Sequence, residues 1–538
     1  MEKVWIDEKI FGSETINNIK KMSEDELADA FKENLKFGTA GLRGKMGAGT
    51  NRMNVHTVKK AAVAIAKWII KNGAADSGVV IGYDVRKNSD EFAKITAEVM
   101  EYYKINYTLL NGYTPTPIIA YSVLKYGYFC GIMVTASHNP KDYNGYKVYA
   151  KNGSQILNED AEIIERFINE LSYEKITNIK SEEIEWTDPE KIETDYFNDI
   201  LSDSLLDDLS EMCVVYSPFN GCGEKLAKKI LKAKKVKYFI PVAQEFRDEN
   251  FTTINYPNPE VDETFDLSIE LANKKGADLI ITNDPDADRI RIAIKENGEF
   301  KILTGNELGG LLCYFIVNIR RDKGFTNNAR IVKTVVTDDL GKEIAERYGY
   351  DVEETLTGFK WISQYSNCQD IRFIMGYEES IGYQIGTEVH DKDGLSALLF
   401  VIDAYRYFRL KGMKFSQVMD KIYFEFGYHE ENNFSIYFEE NLEYMKNAMN
   451  EFRNEFEDEF FGVKIIDKKD FLKSETPNML SDLIIFYLKN NIKICVRPSG
   501  TEPKLKFYMY GVGENREDIQ DGLRVLRNNI EKVLNIQK

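Results

Sequence analysis

Apolar positions along the 538-residue chain fall into three rounds of one pattern. VVIGYD from Val79 reads as a short buried strand, and SDEFAKITAEVM then sets Phe92, Ile95 and Val99 on one helical stripe. Ser89 is placed to cap that helix, with Asp90 and Glu91 in its first turn. INYTLL from Ile105 alternates as a strand does, the TPTP turn leads into a second helical stretch, and FCGIMVT from Phe129 is a third strand. The order returns as strand CVVYSP, helix GEKLAKKILKAKK, strand VKYFIPV, helix SIELANKKG and strand ADLIIT. It returns again as RIVKTVV, helix GKEIAERYG, strand YDVEETL, a helical stretch from Trp361 and strand IRFIM.

Strands alternating with helices predict an α/β fold of three βαβαβ-type domains with mixed or parallel sheets, whose ligands gather at the carboxyl ends of the strands. The third strand of each round runs into a polar loop: ASHNP, NDPDADR and GYEES. Three such units can aim three loops at one central cleft. From about Phe434 the chain changes character, with FEENLEYMKNAMNEFRNEFEDEF as a long helical pattern and then strands SDLIIFYL and NIKICV, a smaller α+β domain. The expected boundaries are 1–205 with the serine loop, 206–305 with the aspartate loop, 306–430 with the GYEES loop, and 431–538.

Length agrees, since about 150 residues per domain predicts three or four. The net charge is −17, which argues against nucleic acid or an anionic membrane as a partner, so an anionic ligand needs local Lys and Arg clusters. The longest apolar runs, AAVAIAKWII and GGLLCYFIV, fall short of the ~20 residues that span a bilayer. MEKVWIDEKI lacks the basic flank and apolar stretch of a signal peptide. The six cysteines are scattered without a C-x-x-C, which reads as buried free thiols in a reducing, cytoplasmic setting.

In TASHNPKDYNGYKVY, Ser137 sits at a strand end with its hydroxyl free of a helix, though Ser, Asn and Pro also suit a plain turn. His138 is adjacent in sequence and no G-x-S-x-G elbow surrounds the serine, which counts against a hydrolase triad. NDPDADR places Asp284, Asp286 and Asp288 at alternate positions. Such carboxylates repel unless a hard divalent cation lies among them; otherwise they form a solvated acidic turn. An EF-hand is excluded, because Arg289 and Lys295 stand where it needs Gly and Glu. GYEES supplies Glu378, Glu379 and Ser380, able to read sugar hydroxyls. RPSGTEPKLKFY gathers Arg497, Ser499, Gly500, Thr501, Lys504 and Lys506, a phosphate cradle without a Walker sequence. FGTAGLRGKMGAG is not a P-loop, since Thr39 and Met46 occupy required positions, but it can present Arg43 to an anion.

These loops, in this order and spacing, resemble the phosphohexomutase superfamily over nearly the whole chain, and FGTAGLRGKMGAGTNRMN looks most like the subgroup of phosphoglucomutases and phosphopentomutases. The resemblance implies four domains around a deep cleft and an intramolecular phosphotransferase. It implies that Ser137 carries the phosphoryl group, that Asp284, Asp286 and Asp288 hold one Mg²⁺ with a phosphoserine137 oxygen, and that Glu378 and Ser380 meet sugar hydroxyls. Arg497, Ser499, Gly500, Thr501 and Lys506 would hold the non-reacting phosphate, with Gly358 and Lys360 also binding substrate. Arg43 and Arg289 would lie near the reacting phosphate, with His138 beside the serine and Lys147 and Lys392 as acid–base candidates. Ile381 and Gly382 follow Ser380 where some dual-specificity phosphomannomutase/phosphoglucomutases carry Gly-His, which weakens a mannose assignment. The expected reaction is interconversion of α-D-glucose 1-phosphate and 6-phosphate, activated by glucose 1,6-bisphosphate, in a monomer or weak homodimer. Pentose and mannose phosphates, a sugar phosphatase and a non-catalytic sugar-phosphate sensor are the alternatives.

Overall fold

The computed structural model describes residues 5–39, 41–181, 183–254, 256–324, 329–368, 372–438, 442–499 and 504–536. Four sheets follow one another along the chain. The first has six strands in the spatial order Leu42–Lys45, Tyr143–Ala150, Cys130–Val134, Val79–Tyr83, Tyr107–Leu110 and Trp186–Thr187. Val79–Tyr83 is parallel to both of its neighbours. Its residues are all buried, and alternate ones face opposite layers. Val79 and Ile81 pack with Phe92 and Val99 of helix Ser89–Tyr102, while Val80 packs with Ile118 and Ile119 of helix Thr116–Tyr126. Covering both faces is why VVIGY is a continuous apolar run rather than an alternating one.

The second sheet runs Glu299–Ile302, Ile290–Glu296, Leu279–Asn283, Cys213–Ser217 and Lys237–Phe239, and the third Asp351–Thr355, Ala329–Thr334, Arg372–Tyr377 and Tyr383–Ile385. All three α/β sheets share one departure from a purely parallel pattern. The strand that carries the polar loop returns at once as an antiparallel partner, pairing Met133 with Lys147, Asn283 with Ile290, and Tyr377 with Tyr383. Each polar loop is therefore a hairpin connection, short and held at both ends by ladder hydrogen bonds.

An apolar core runs without interruption from Val80 to Phe426 through these sheets and the buried helices Gly305–Asp322 and Gly394–Leu410. The fourth sheet, seven strands between Tyr428 and Gly513, has a core of its own around Ile436, Phe452, Phe486 and Leu526. Among the described residues no helix is long and apolar enough to cross a membrane.

Three local expectations are corrected. Ser89 does not cap its helix: Asn88 holds the N-cap in a left-handed conformation, and the Ser89 hydroxyl donates inward to Asp84 at 2.8 Å. The long helical pattern of the C-terminal part yields only Leu442–Asn454, because Glu459–Phe460 pairs as a strand with Val463 and Lys464; residues 439–441 lie outside the described ones. All six cysteines are unpaired, but Cys213 is half-buried and Cys368, just beyond helix Phe359–Ser366, is exposed.

The fourth sheet is fastened to the third through the turn after Thr334. Lys493 Nζ donates to Thr337 O at 3.0 Å, the Tyr510 hydroxyl donates to Val336 O at 2.7 Å, and His429 Nδ1 lies 3.0 Å from Asp338 Oδ1. Burial pushes the His429 imidazole down, but the charge and hydrogen bond of Asp338, helped by Glu343, outweigh it and raise the pKa to about 10. An unfolded histidine titrates near ~6.5. The pKa is raised on folding, so this pair's contribution is complete below about pH 6.5 and is lost as pH climbs through about 10. The urea midpoint should accordingly fall between roughly pH 7 and 9.5 more steeply in the native chain than in His429→Gln. Equal slopes would show that the pair contributes nothing.

Candidate functional site

The serine loop leaves strand Cys130–Val134 through a turn in which Ser137 takes φ 51, a left-handed conformation uncommon for a residue with a side chain. One buried arginine holds this turn open. Arg86 donates to the carbonyls of Ser137 at 2.6 Å, Asn139 at 2.5 Å, Pro140 at 2.7 Å and Tyr143 at 3.2 Å. Its Nε lies 3.3 Å from Asp84 Oδ2, which also accepts the Thr135 hydroxyl, and Thr135 Oγ1 in turn accepts the Ser137 N–H at 2.8 Å. The Arg86 guanidinium covers the Phe251 ring at 5.2 Å. Neither Arg86 nor Asp84 was singled out in the sequence; the signal was a charged pair, YDVR, at the end of a wholly apolar strand.

The Ser137 hydroxyl donates across sheets to Asp284 Oδ2 at 2.7 Å, although 147 residues separate them. Asp284, Asp286 and Asp288 are buried, with a carboxylate oxygen of each within 4.8 Å of the others. Asp284 Oδ1 accepts the Arg289 N–H at 3.0 Å. Lys147 Nζ donates at 2.8 Å to both Asp286 Oδ2 and Asp288 Oδ2, and Lys392 Nζ lies 3.5 Å from the latter. Asp286 Oδ1 and Asp288 Oδ1 are buried without a hydrogen-bond partner. Two orphaned carboxylate oxygens beside a third carboxylate fit a hard divalent cation, which takes oxygen ligands and supplies the missing charge.

The electrostatics agree. Burial, with Asp286 and Asp288 close by, pushes the Asp284 carboxyl well up. Burial would also raise Asp288, but Lys147, Lys392 and Arg289 overcome it and hold that carboxyl below its ordinary range. His138 is driven well down by burial and by the charges of Arg289 and Arg43, so it is neutral. Its Nδ1 stands 3.3 Å from the Ser137 Oγ, and its ring meets Tyr256 edge to face. Arg43 donates to Asn139 Oδ1 at 3.2 Å and so faces the serine loop.

The third sheet's loop is stitched to the aspartate loop. Arg289 and Gly382 form a β-bridge, and Ile290 N donates to Ile381 O at 3.2 Å. Gly394 passes beneath, where a Cβ would come within 2.5 Å of Arg289 O, so only glycine fits. Glu378 is buried and accepts the Gly358 N–H at 3.0 Å; burial and the Glu379 charge raise its carboxyl to about 7. Glu379 turns away to Thr334 and Thr337. Ser380 is half-buried in the same turn. Lys360 crosses to the first unit, donating at 3.0 Å to Thr39 Oγ1 and Asn158 Oδ1, and burial lowers it to about 8. A cavity of about 320 Å³ opens there among Thr39, Gln155, Asn158, Gly358, Lys360 and Ser481.

On the fourth sheet, Arg497 stands opposite Lys506 and donates to the Thr357 hydroxyl of the third unit. Burial and the charges of Arg497 and Lys504 lower Lys506. Ser499 N donates to Lys504 O at 2.8 Å, closing the neck of the loop. Gly500 and Thr501 lie outside the described residues. The structure thus brings Ser137, His138, Arg43, Lys147, Arg289, Lys392 and the three aspartates together, joins Glu378 to Gly358, and links Arg497 to Thr357.

Three family models match the chain, described as phosphoglucomutase/phosphomannomutase alpha/beta/alpha domains I, II and III, over residues 34–175, 194–298 and 304–426. A phosphoglucomutase of Staphylococcus aureus strain MSSA476 is 31% identical over 552 residues, covering 98% of both chains. That of strain N315 is 32% identical, covering 94% of this chain and 95% of its own. Among solved structures, the Paramecium phosphoglucomutase pp63/parafusin superposes with a TM-score of 0.68 at 17% identity, over 93% of this chain and 95% of that one. The Aspergillus fumigatus N-acetylphosphoglucosamine mutase, solved with GlcNAc-6P and magnesium, gives 0.52 at 14% identity over 96% and 98%.

Arg86→Lys keeps the charge but cannot reach four carbonyls, leaving buried acceptors unsatisfied. It should lower the unfolding free energy by about 3 kcal/mol. Urea denaturation checks this, and a loss below about 1 kcal/mol would mean the turn holds without its arginine.

Proposed function

Since the chain belongs to the phosphoglucomutase/phosphomannomutase family of intramolecular phosphotransferases, we propose that it interconverts α-D-glucose 1-phosphate and glucose 6-phosphate through a phosphorylated Ser137. The observation that carries the reading is the Ser137 hydroxyl, 2.7 Å from a buried carboxylate cluster with two unpartnered oxygens. The glucose assignment is supported by the relatives named phosphoglucomutase at 31–32% identity over nearly the whole chain.

In this reading Ser137 Oγ carries a phosphoryl group and hands it to the free hydroxyl of a bound sugar monophosphate. The P–Oγ bond breaks, a bond from phosphorus to the sugar oxygen forms, and the sugar hydroxyl proton passes to a phosphate oxygen. The departing Ser137 Oγ takes a proton from an ammonium group of the cleft, with Lys147 and Lys392, held protonated beside the aspartates, the candidates. The product, glucose 1,6-bisphosphate, turns around and returns its other phosphoryl group to Ser137, which is why the free bisphosphate would activate the enzyme. Asp284, Asp286 and Asp288 would hold Mg²⁺, which when bound offsets charge on the transferring phosphoryl group. Arg43 and Arg289 would hold the reacting phosphate, and neutral His138 beside Ser137 can donate to its oxygens. Glu378, Ser380, Gly358 and Lys360 would meet the sugar, and Arg497, Ser499, Gly500, Thr501 and Lys506 the distal phosphate. Both orientations of the bisphosphate must fit, so a phosphate grip away from Ser137 is a physical requirement, and positioning supplies much of the rate.

Glucose 1-phosphate, ribose 1-phosphate and mannose 1-phosphate assayed side by side should give a kcat/KM at least ~10-fold higher for glucose, about 1.4 kcal/mol of transition-state preference. A higher value for ribose would move the assignment to a phosphopentomutase. Ser137→Ala should abolish isomer formation and the one-phosphoryl mass gain from glucose 1,6-bisphosphate. Full turnover by that variant would end the covalent reading, and phosphate release outrunning isomer formation would make the protein a phosphatase.

A further inference from the structure

Thr116 lies outside the residues that the sequence assigns to the site. It opens helix Thr116–Tyr126 of the first unit, is wholly buried, and reaches into the aspartate loop of the second. Its N–H donates to Asp286 O at 2.9 Å, and its Oγ1 donates to Asp286 Oδ2 at 2.7 Å. Lys147 Nζ donates to the same oxygen at 2.8 Å. Oδ2 therefore has two donors, while Oδ1 of the same carboxylate, equally buried, has none.

The division repeats at Asp288. Oδ2 takes Lys147 at 2.8 Å with Lys392 at 3.5 Å, and Oδ1 has no hydrogen bond. Each of the two carboxylates thus gives one oxygen to hydrogen bonds and leaves the other without one, Asp288 Oδ1 having only Arg289 Nε at 3.9 Å. A carboxylate has a broad, two-fold torsion about its last bond, so fixed donors on one oxygen are what fix the other. Asp288 has two ammonium groups for that purpose. Asp286 shares Lys147 with Asp288, so the Thr116 hydroxyl is the donor it shares with no other carboxylate.

We infer that Thr116 is a positioning residue for the metal site: its hydroxyl holds Asp286 in the orientation that leaves Oδ1 free to ligate a divalent cation. The inference rests on the aspartate trio being a cation site, and not on which sugar the enzyme takes. The hydroxyl is separable from the tie between the two units, because the backbone N–H bond to Asp286 O survives any side-chain change except proline. Thr116→Val removes the hydroxyl at nearly constant volume, and Thr116→Ser keeps it.

Mn²⁺ is the probe, titrated into the full-length chain and read by the loss of its free-ion electron paramagnetic resonance signal. Groups that orient metal ligands typically carry 10- to 100-fold in affinity, so Thr116→Val should raise the Mn²⁺ Kd by about 10-fold or more. Thr116→Ser should stay within about 2-fold of the native value, and the unfolding midpoint of each should remain near native. Should the valine variant not fold, Thr116→Ala is held to the same criterion. Native Mn²⁺ affinity in Thr116→Val, or equal weakening in Val and Ser variants, would overturn the inference. A native chain that binds Mn²⁺ but does not isomerise glucose phosphates removes the proposed substrate and leaves this inference standing. A native chain that binds no Mn²⁺ overturns the inference and the cation-site reading together.

Discussion

Three carboxylates buried within 4.8 Å of one another cannot stand without positive charge, and the cleft is arranged around that demand. Lys147 comes from the return strand of the first sheet, Arg289 from the aspartate loop itself, and Lys392 from the segment ahead of helix Gly394–Leu410. Each cation is far from the aspartates in sequence or is turned back onto them by the hairpin. The cluster therefore ties the first three units together electrostatically, on top of the apolar core they share. Removing one cation would leave a buried charge uncompensated, so the site and the packing of the units are one structural problem.

The hairpin return of each polar loop answers a second constraint. A loop that presents a hydroxyl, a carboxylate trio or a buried carboxylate such as Glu378 has to hold its backbone in strained or crowded shapes, as at Ser137 with φ 51 and Ile381 with φ 57. An antiparallel partner that begins within a few residues limits how far such a loop can relax. The β-bridge of Arg289 to Gly382 and the Arg86 bonds to four carbonyls complete the restraint. Function sits on loops, but these loops inherit the rigidity of the sheets.

What was legible in the sequence followed from local rules. Buried strands such as VVIGY and helices with one apolar stripe declare themselves by period, and the aspartate trio by the improbability of three like charges at alternate positions. What was hidden depended on tertiary partners. Ser89 looks like a cap, but a buried carboxylate at Asp84 is a better acceptor for its hydroxyl than a helix end is a donor. Thr116 looks like turn material in TPTP, and only the approach of the second sheet makes it a partner of Asp286. Glu379 reads as a sugar ligand beside Glu378 until Thr334 and Thr337 claim it. The C-terminal helical pattern broke at Glu459–Phe460 because Phe460 gains more by packing with Phe452 and Phe486 on the sheet than by extending a helix.

The charge balance of the cleft also constrains the order of events. Lys147, Lys392 and Arg289 nearly match the three aspartates, so the cluster as it stands has little net charge to offer a ligand. A phosphorylated Ser137 would add between about −1.5 and −2 charges at neutral pH. With Asp286 and Asp288 charged in the same cluster as the serine's partner Asp284, that load is repelled unless a divalent cation arrives with it. A divalent cation alone meets ammonium groups at 2.8 Å from the same aspartates and is opposed in turn. Each of the two additions removes the obstacle to the other. In the proposed reading phosphoserine and metal would therefore stabilise one another in this site, and within a chain of −17 overall Arg43, Arg497 and Lys506 would be the cations left to attract an anionic ligand.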